Sequence, residues 1–207
     1  MNLISKKWEE HNKNLDSITL KNIDVILKSD ILDKFILYPF GANDVLMKWE
    51  LDRLTSYITI EEDFNILEVG SGVGNFCKTL QEKFVVDTYT ILDTPSMLRI
   101  SKFFLNHYDI PYTAVSCDDY EELSYKDFDL CVSNLCMSEL PEDYRDSLLV
   151  DVLCNCKYAF FIDTVKPEFA EDFINKLRNY SKFNDVKYIK YDDFYLPNHG
   201  VFFASRN

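Results

Sequence analysis

The sequence predicts an α/β fold with a seven-stranded, mainly parallel sheet flanked by helices and an N-terminal helical extension. From residue 65 onward, strand-like apolar runs alternate with helix-like segments, the order typical of βαβ units. A strand, a glycine-rich turn and a helix follow one another over residues 65–80. Before them, apolar residues recur at helical spacing. The length of 207 residues suits one sizeable domain with a short extension.

The N-terminal part is predicted to be helical. Apolar residues recur at steps of three and four between Ile23 and Ile36, and the segment 38–41, which contains a proline and a glycine, interrupts that pattern. A second amphipathic helix is predicted from Asn43 to Tyr57. Its expected apolar side consists of Val45, Leu46, Trp49, Leu54 and Tyr57. We expect residues 1–60 to form a helical cap on a domain that spans 61–207.

The glycine turn is the strongest single signal. Three of the five glycines, Gly70, Gly72 and Gly74, follow a short apolar strand and precede a helix that carries Phe76 and Leu80 on one side. Glycine accepts positive φ and lets a ligand come close to the backbone. Strand, glycine turn and helix in this order form the cofactor-binding corner of a Rossmann-like sheet.

The second strand, 88–92, ends at Asp93, and Pro95 then opens a helix. A carboxylate at this strand end can accept two hydrogen bonds from a ribose diol. The alternative is a helix N-cap, a position that aspartate also favours. Further strands are predicted at 112–115, 128–132, 158–162, 186–191 and 201–205, the last two as a hairpin-like pair.

Composition excludes several classes of function. The net charge of −13 opposes binding to nucleic acid or to an anionic membrane. The six cysteines show no metal-ligand spacing, so we expect no metal site and buried, reduced thiols. No signal peptide or membrane-spanning run is evident, and these features together favour a cytoplasmic protein. The oligomeric state cannot be predicted.

The glycine spacing points to one cofactor. A dinucleotide fingerprint would place its third glycine at Asn75, which disfavours a nicotinamide dehydrogenase. Glu68 followed by Gly-x-Gly-x-Gly resembles the first motif of the class I S-adenosylmethionine-dependent methyltransferases, whose sheet also has seven strands. The resemblance implies S-adenosylmethionine as cofactor and an adenine-contacting acid, best matched by Asp118. The cofactor-binding residues that it implies are Glu68, Gly70, Gly72, Gly74, Asp93, Thr94, Met97, Asp118, Asp119 and Asn134.

Three segments narrow the resemblance further. Residues 68–72, 89–95 and 128–142 resemble the sugar O-methyltransferases of bacterial polysaccharide clusters, although Thr94 stands where that group has an apolar residue. By this resemblance, Glu139 lies in the substrate pocket. The segment 134–137 lacks the Asn/Asp-Pro-Pro-Tyr-like tetrad of methyltransferases that act on adenine or glutamine amides.

Transfer to a hydroxyl requires a base for its proton. The candidates are Glu139, after the fourth strand, and His199, expected in a turn before the last strand. Helical extensions of this fold commonly cover the active site, so Tyr38, Phe40 and Trp49 could form a substrate wall or could simply pack on the sheet.

Three functions remain open at this point. The first is methyl transfer to a hydroxyl of a small polar acceptor, such as a sugar or nucleotide-linked sugar in surface polysaccharide biosynthesis. The second is N-methylation of a small amine or phospho-base, with Glu139 holding the cation. The third is a non-catalytic subunit that binds the cofactor.

Overall fold

The computed structural model describes residues 44–164, 167–191 and 199–206. The predicted helix around residues 23–36, together with Tyr38 and Phe40, lies outside these ranges. The described helices are α1 (Asp44–Tyr57), α2 (Asn75–Lys83), α3 (Pro95–His107), α4 (Glu142–Asp151) and α5 (Pro167–Asn179). The strands are β1 (Asn65–Val69), β2 (Thr88–Asp93), β3 (Thr113–Ser116), β4 (Phe128–Asn134), β5 (Cys156–Thr164), β6 (Asp185–Tyr191) and β7 (His199–Ser205).

The seven strands form one sheet in the order β3-β2-β1-β4-β5-β7-β6. Strands β1 to β5 are parallel, and β7 runs antiparallel to both β5 and β6. The predicted fold class is therefore confirmed, including the final antiparallel pair. The chain moves outward from β1 to β3 and then crosses back to β4, so the topological switch point lies between β1 and β4. Ligands of open α/β sheets bind at such a point, beyond the carboxyl ends of the strands.

Helices cover both faces of the sheet because each strand points alternate side chains to opposite sides. Ile66 belongs to the apolar cluster that includes residues of α1, α2 and α3. Its neighbour Leu67 belongs to the cluster under α4 and α5. By the same alternation Glu68 points to the side of Ile66, towards α1. This side of β1 carries the groups that matter for the site.

Helix α1 packs against α2 and buries a different stripe from the one expected. Met47, Glu50, Leu51 and Leu54 are buried, whereas Leu46, Trp49 and Tyr57 are only half-buried. Leu54 is thus buried as expected, Leu46, Trp49 and Tyr57 pack only in part against the apolar cluster, and the most buried side of α1 lies about one position away from the expected one. A buried glutamate within this stripe has a direct consequence for the cavity described below.

Side-chain chemistry elsewhere in the described ranges follows the composition. All six cysteines are free thiols, five of them buried and Cys154 half-buried. Among the helices in the described part of the chain, none is long and apolar enough to cross a membrane.

Candidate active site

The turn after β1 is built by glycines in the left-handed region. Gly70 has φ 76° and Gly72 has φ 56°, values that strain any residue with a Cβ. The N–H of Gly70 donates to the carbonyl of Leu92 at 2.9 Å, which ties the turn to the end of β2. The N–H of Gly74 donates to the carbonyl of Ser71 at 2.9 Å and leads the chain into α2.

Two of these glycines differ in what surrounds them. A Cβ on Gly70 would lie 2.3 Å from Sγ of Cys136 and 2.5 Å from its Cβ. A Cβ on Gly72 would meet no atom within 4 Å. Gly70 is therefore needed because the loop after β4 packs directly on it, whereas Gly72 faces open space beside the cavity.

Asp93 fastens the glycine turn to β2. Its Oδ2 accepts from the N–H of Gly72 at 3.1 Å and its Oδ1 from the N–H of Thr94 at 2.7 Å. Burial raises the pKa of Asp93 to about 7, although these two N–H donors act in the opposite direction. The alternative of an Asp93 N-cap is wrong, because Thr94 is the N-cap of α3 and accepts from the N–H of Met97 at 3.3 Å.

A cavity of about 210 Å³ lies at the switch point. It is lined by three parts of the chain: α1, the glycine turn with the start of α2, and the loop after β4. The lining residues are Leu46, Met47, Glu50, Glu68, Gly70, Ser71, Gly72, Val73, Asn75, Phe76, Asn134 and Leu135. Whole ligand pockets measure about 300–1,000 Å³, so this cavity suits one end of a ligand that extends beyond it.

Two buried carboxyl groups, Glu50 and Glu68, line the cavity. Glu50 and Glu68 are each 1% exposed. Oε2 of Glu68 accepts from the hydroxyl of Tyr89 at 2.9 Å. Burial raises the pKa of Glu68 to about 8. Burial, with the charge of Glu68 as a second cause, raises the pKa of Glu50 to about 8 as well. Both shifts favour the protonated, neutral form of these carboxyl groups at neutral pH.

Polar atoms in the cavity wall lack partners. Oε2 of Glu50 and both amide atoms of Asn134, Oδ1 and Nδ2, are buried without a hydrogen bond among the described residues. Leu135, directly after Asn134, has φ 57°, which is unusual for a bulky residue. Its N–H donates to the carbonyl of Ile162 at 2.7 Å, which holds this conformation. Unsatisfied buried groups next to backbone strain are typical of a ligand site.

Hydrogen bonds from β5 and α4 hold the loop after β4 in place. Asp163 accepts from the N–H of Ser138 at 2.7 Å and from the Ser138 hydroxyl. The buried guanidinium of Arg145 donates to the carbonyl of Met137 at 3.1 Å and stacks over the ring of Phe169. The loop is thus fixed by groups from β5 and α4.

The two base candidates lie in different surroundings. Glu139 is exposed in the turn after β4, and its N–H donates to the carbonyl of Cys136 at 2.9 Å. His199 begins β7 beside Thr164, so the expectation that it lies in a turn is wrong. Strands β1 and β7 are separated by β4 and β5, which at the usual ~4.8 Å spacing is roughly 14 Å across the sheet.

The remaining expected residues occupy the rim and the flank of the sheet. Asp118 is half-buried and Asp119 exposed in the 3-10 helix that follows β3. Met97 is half-buried in the first turn of α3. Trp49 is half-buried on α1, with the guanidinium of Arg53 over its ring, and is not among the residues that line the cavity.

Glu50 is the site residue that sequence reasoning missed. The signal was present, because Glu50 lies three residues after Met47 and four before Leu54, on the stripe that α1 buries. An acid within an apolar stripe is expensive to bury and usually has a reason to be there. The apolar side predicted for α1 lies about one residue away from the side that is buried, so the prediction did not include Glu50.

Comparisons with known proteins show which fold the chain has. Residues 67–151 match the model of a family described as "Methyltransferase domain". A S-adenosylmethionine-dependent methyltransferase from Clostridium acetobutylicum superposes with a TM-score of 0.63 at 11% identity, over 84% of this chain and 97% of that one. The methyltransferase domain of bacterial CtHen1 gives 0.61 at 12% identity, over 80% and 100%.

An O-methyltransferase family protein from Burkholderia thailandensis gives a TM-score of 0.55 at 11% identity, over 95% of this chain and 70% of that one. No curated protein sequence matches the chain. At these identities the likeness shows the fold, which is that of the class I methyltransferases. Together with the family match, it supports a class I S-adenosylmethionine-dependent methyltransferase.

The residues present fit that cofactor. S-Adenosylmethionine carries an ammonium and a carboxylate at its amino-acid end, and the cavity holds unpartnered acceptors at Glu50 and Asn134 and an unpartnered donor at Asn134. The open space beside Gly72 allows close approach to the turn.

Proposed function

We propose that the protein transfers the methyl group of S-adenosylmethionine to a hydroxyl of a small polar acceptor, a sugar or nucleotide-linked sugar. The observation that carries the proposal is the cavity at the switch point, walled by the glycine turn and lined with unpartnered polar atoms. S-Adenosylmethionine supplies a methyl group already activated on a sulfonium. The protein therefore has to align donor and acceptor and to exclude water.

In this proposal the expected cofactor-binding residues each hold one part of S-adenosylmethionine. The turn with Glu68, Gly70, Gly72 and Gly74 holds the amino-acid end, assisted by Asn134. Asp93, which already binds two backbone N–H groups, uses its remaining lone pairs for the ribose hydroxyls. Thr94, Met97, Asp118 and Asp119 would hold the adenine end.

The acceptor proton leaves through Glu139 or His199. Glu139 lies in the loop that Asp163 and Arg145 hold from behind, and this support suits a group that has to meet a reacting hydroxyl. His199 begins β7 next to the carboxyl end of β5, on the ligand-binding side of the sheet. Trp49, with Tyr38 and Phe40, would complete the substrate side from the N-terminal part.

Several observations favour a small hydroxyl acceptor. The segments 68–72, 89–95 and 128–142 resemble sugar O-methyltransferases, and the Burkholderia neighbour is an O-methyltransferase family protein. The net charge of −13 disfavours polyanionic acceptors. Free thiols fit a reducing compartment and support work in the cytoplasm on precursors of a surface polysaccharide.

N-methylation of a small amine is the second candidate. The observation that favours it is the exposed position of Glu139 in the turn after β4, because this acidic side chain could hold a cationic amine instead of taking a proton from a hydroxyl. The two functions predict different acceptors.

Transfer of a labelled methyl group tests the choice. The protein is incubated with methyl-labelled S-adenosylmethionine and with panels of nucleotide-linked sugars, free sugars and small amines. We expect alkali-stable label on a sugar, reduced at least tenfold in Glu139→Gln or His199→Ala. Label on amines alone would replace the proposal with N-methylation. Unchanged turnover in both variants would refute the base assignments and leave the transfer itself standing.

A further inference from the structure

The unpartnered atoms of the cavity form a set with a definite chemistry. Oε2 of Glu50 and Oδ1 of Asn134 are acceptors without a donor, and Nδ2 of Asn134 is a donor without an acceptor. The two residues come from different elements, α1 and the end of β4, and both line the same cavity. Leaving such atoms buried and unpaired costs about 1–3 kcal/mol each, so they indicate a ligand with matching groups.

An α-amino acid has those groups. Its ammonium offers three N–H donors, and its carboxylate offers acceptors. We propose that Glu50 accepts a hydrogen bond from the α-ammonium of S-adenosylmethionine and makes this cavity select ligands that carry the amino-acid end, while Asn134 donates to the α-carboxylate. This inference rests on the proposed function and adds a residue of α1, outside the glycine motif, to the cofactor site.

Electrostatics supports the assignment. No Lys, Arg or His is among the residues that line the cavity in the described ranges. The groups that face Glu50 and Glu68 are acidic or neutral: Tyr89 on β2 donates to Glu68, Cys77 lies on α2, and Asp93 adds a repulsive charge at Glu68. A cation is therefore the component that the cavity lacks, and the ammonium provides it.

Binding should also move a proton. The raised pKa values of Glu50 and Glu68 favour the protonated carboxyls at pH 7 before a ligand binds. When the ammonium arrives, the Glu50 carboxyl loses its proton to the buffer and becomes the carboxylate that accepts the N–H. Uptake of the ligand at pH 7 is thus coupled to release of up to one proton.

Calorimetry on the wild type and two variants, each titrated with two ligands, tests the inference. The ligands are S-adenosylhomocysteine, which keeps the amino-acid end, and 5′-methylthioadenosine, which lacks it. The variants are Glu50→Gln, and Glu62→Gln as a control that removes an exposed carboxylate in the turn before β1. We expect Glu50→Gln to weaken S-adenosylhomocysteine by about 10- to 100-fold, the range for a hydrogen bond to a charged group, and to leave methylthioadenosine unchanged.

Repeating the titration in two buffers of different ionisation enthalpy counts the protons. Wild type and Glu62→Gln should release up to one proton more than Glu50→Gln. Glu50→Asp keeps the carboxyl group but shortens the side chain by one methylene, so its affinity for S-adenosylhomocysteine should lie between those of wild type and Glu50→Gln. It replaces Glu50→Gln in the test if that variant does not fold. Equal affinities in wild type and the Glu50 variants, or equal losses for both ligands, would overturn the inference. If folded wild type bound neither ligand, the proposed function itself would fail.

Discussion

Replacing Gly70 with alanine tests how closely the glycine turn approaches the loop after β4. The positive φ of 76° costs an L-residue about 1–2 kcal/mol. The new Cβ would also lie 2.3 Å from Sγ and 2.5 Å from Cβ of Cys136, so the backbone would have to shift. Such overpacking costs about 1–3 kcal/mol more. We expect Gly70→Ala to lower the free energy of unfolding by about 2–5 kcal/mol, measured by urea denaturation with tryptophan fluorescence.

Gly72→Ala is the matched control. Its φ of 56° carries the same conformational cost, but its Cβ meets nothing within 4 Å, so the expected loss is about 1–2 kcal/mol. Adding Cys136→Gly to Gly70→Ala leaves the Cys136 Cα at 4.0 Å as the nearest atom of that residue. The double variant should recover about 1–3 kcal/mol relative to the sum of the single changes. Equal losses at Gly70 and Gly72, or additive changes in the double variant, would refute the close approach.

Three further predictions concern the acids and the loop. The pKa of Glu50 is about 8 in the folded protein against 4.5 in the unfolded chain, so the wild-type protein loses stability as the pH rises from 5 to 8. Glu50→Gln should reduce this loss by up to about 1.4 kcal/mol per pH unit. Urea midpoints at each pH measure the slope, and the same slope in the variant contradicts the prediction. Asp93→Asn, with one acceptor oxygen for the N–H groups of Gly72 and Thr94, should lose about 1–3 kcal/mol of stability, and a loss under 0.5 kcal/mol would argue against those bonds. Arg145→Met should lower the free energy of unfolding by about 1–3 kcal/mol. It should lower methyl transfer more than cofactor affinity, because Arg145 holds the loop after β4 and not the glycine turn. Equal effects on transfer and affinity would count against this role of Arg145.

The elements and the fold class could be predicted because local patterns carry them. Strands of a parallel sheet are buried on both faces and stand out as apolar runs, and the glycine turn is a local requirement of φ. The final antiparallel pair followed from two strands close together at the end of the chain. These features need no knowledge of distant contacts.

The detail of the site depended on contacts across the chain. Cys136 approaches Gly70 only because β4 lies beside β1, and one of the two backbone partners of Asp93, Gly72, lies on a turn 21 residues away. The burial of Glu50 depends on which side of α1 packs on the sheet, and a rotation of one position in the predicted stripe was enough to hide it. Residue patterns constrain tertiary contacts of this kind only weakly.

Binding of S-adenosylhomocysteine to the folded wild-type protein tests the central claim, a cofactor site at the switch point between β1 and β4, most directly. Calorimetry at pH 7 should give saturable binding with one ligand per chain, and Asp93→Asn should weaken it, because the glycine turn loses its anchor on β2. A wild-type protein that unfolds cooperatively in urea yet gives no binding heat, and no change in melting temperature with the ligand, would contradict the claim.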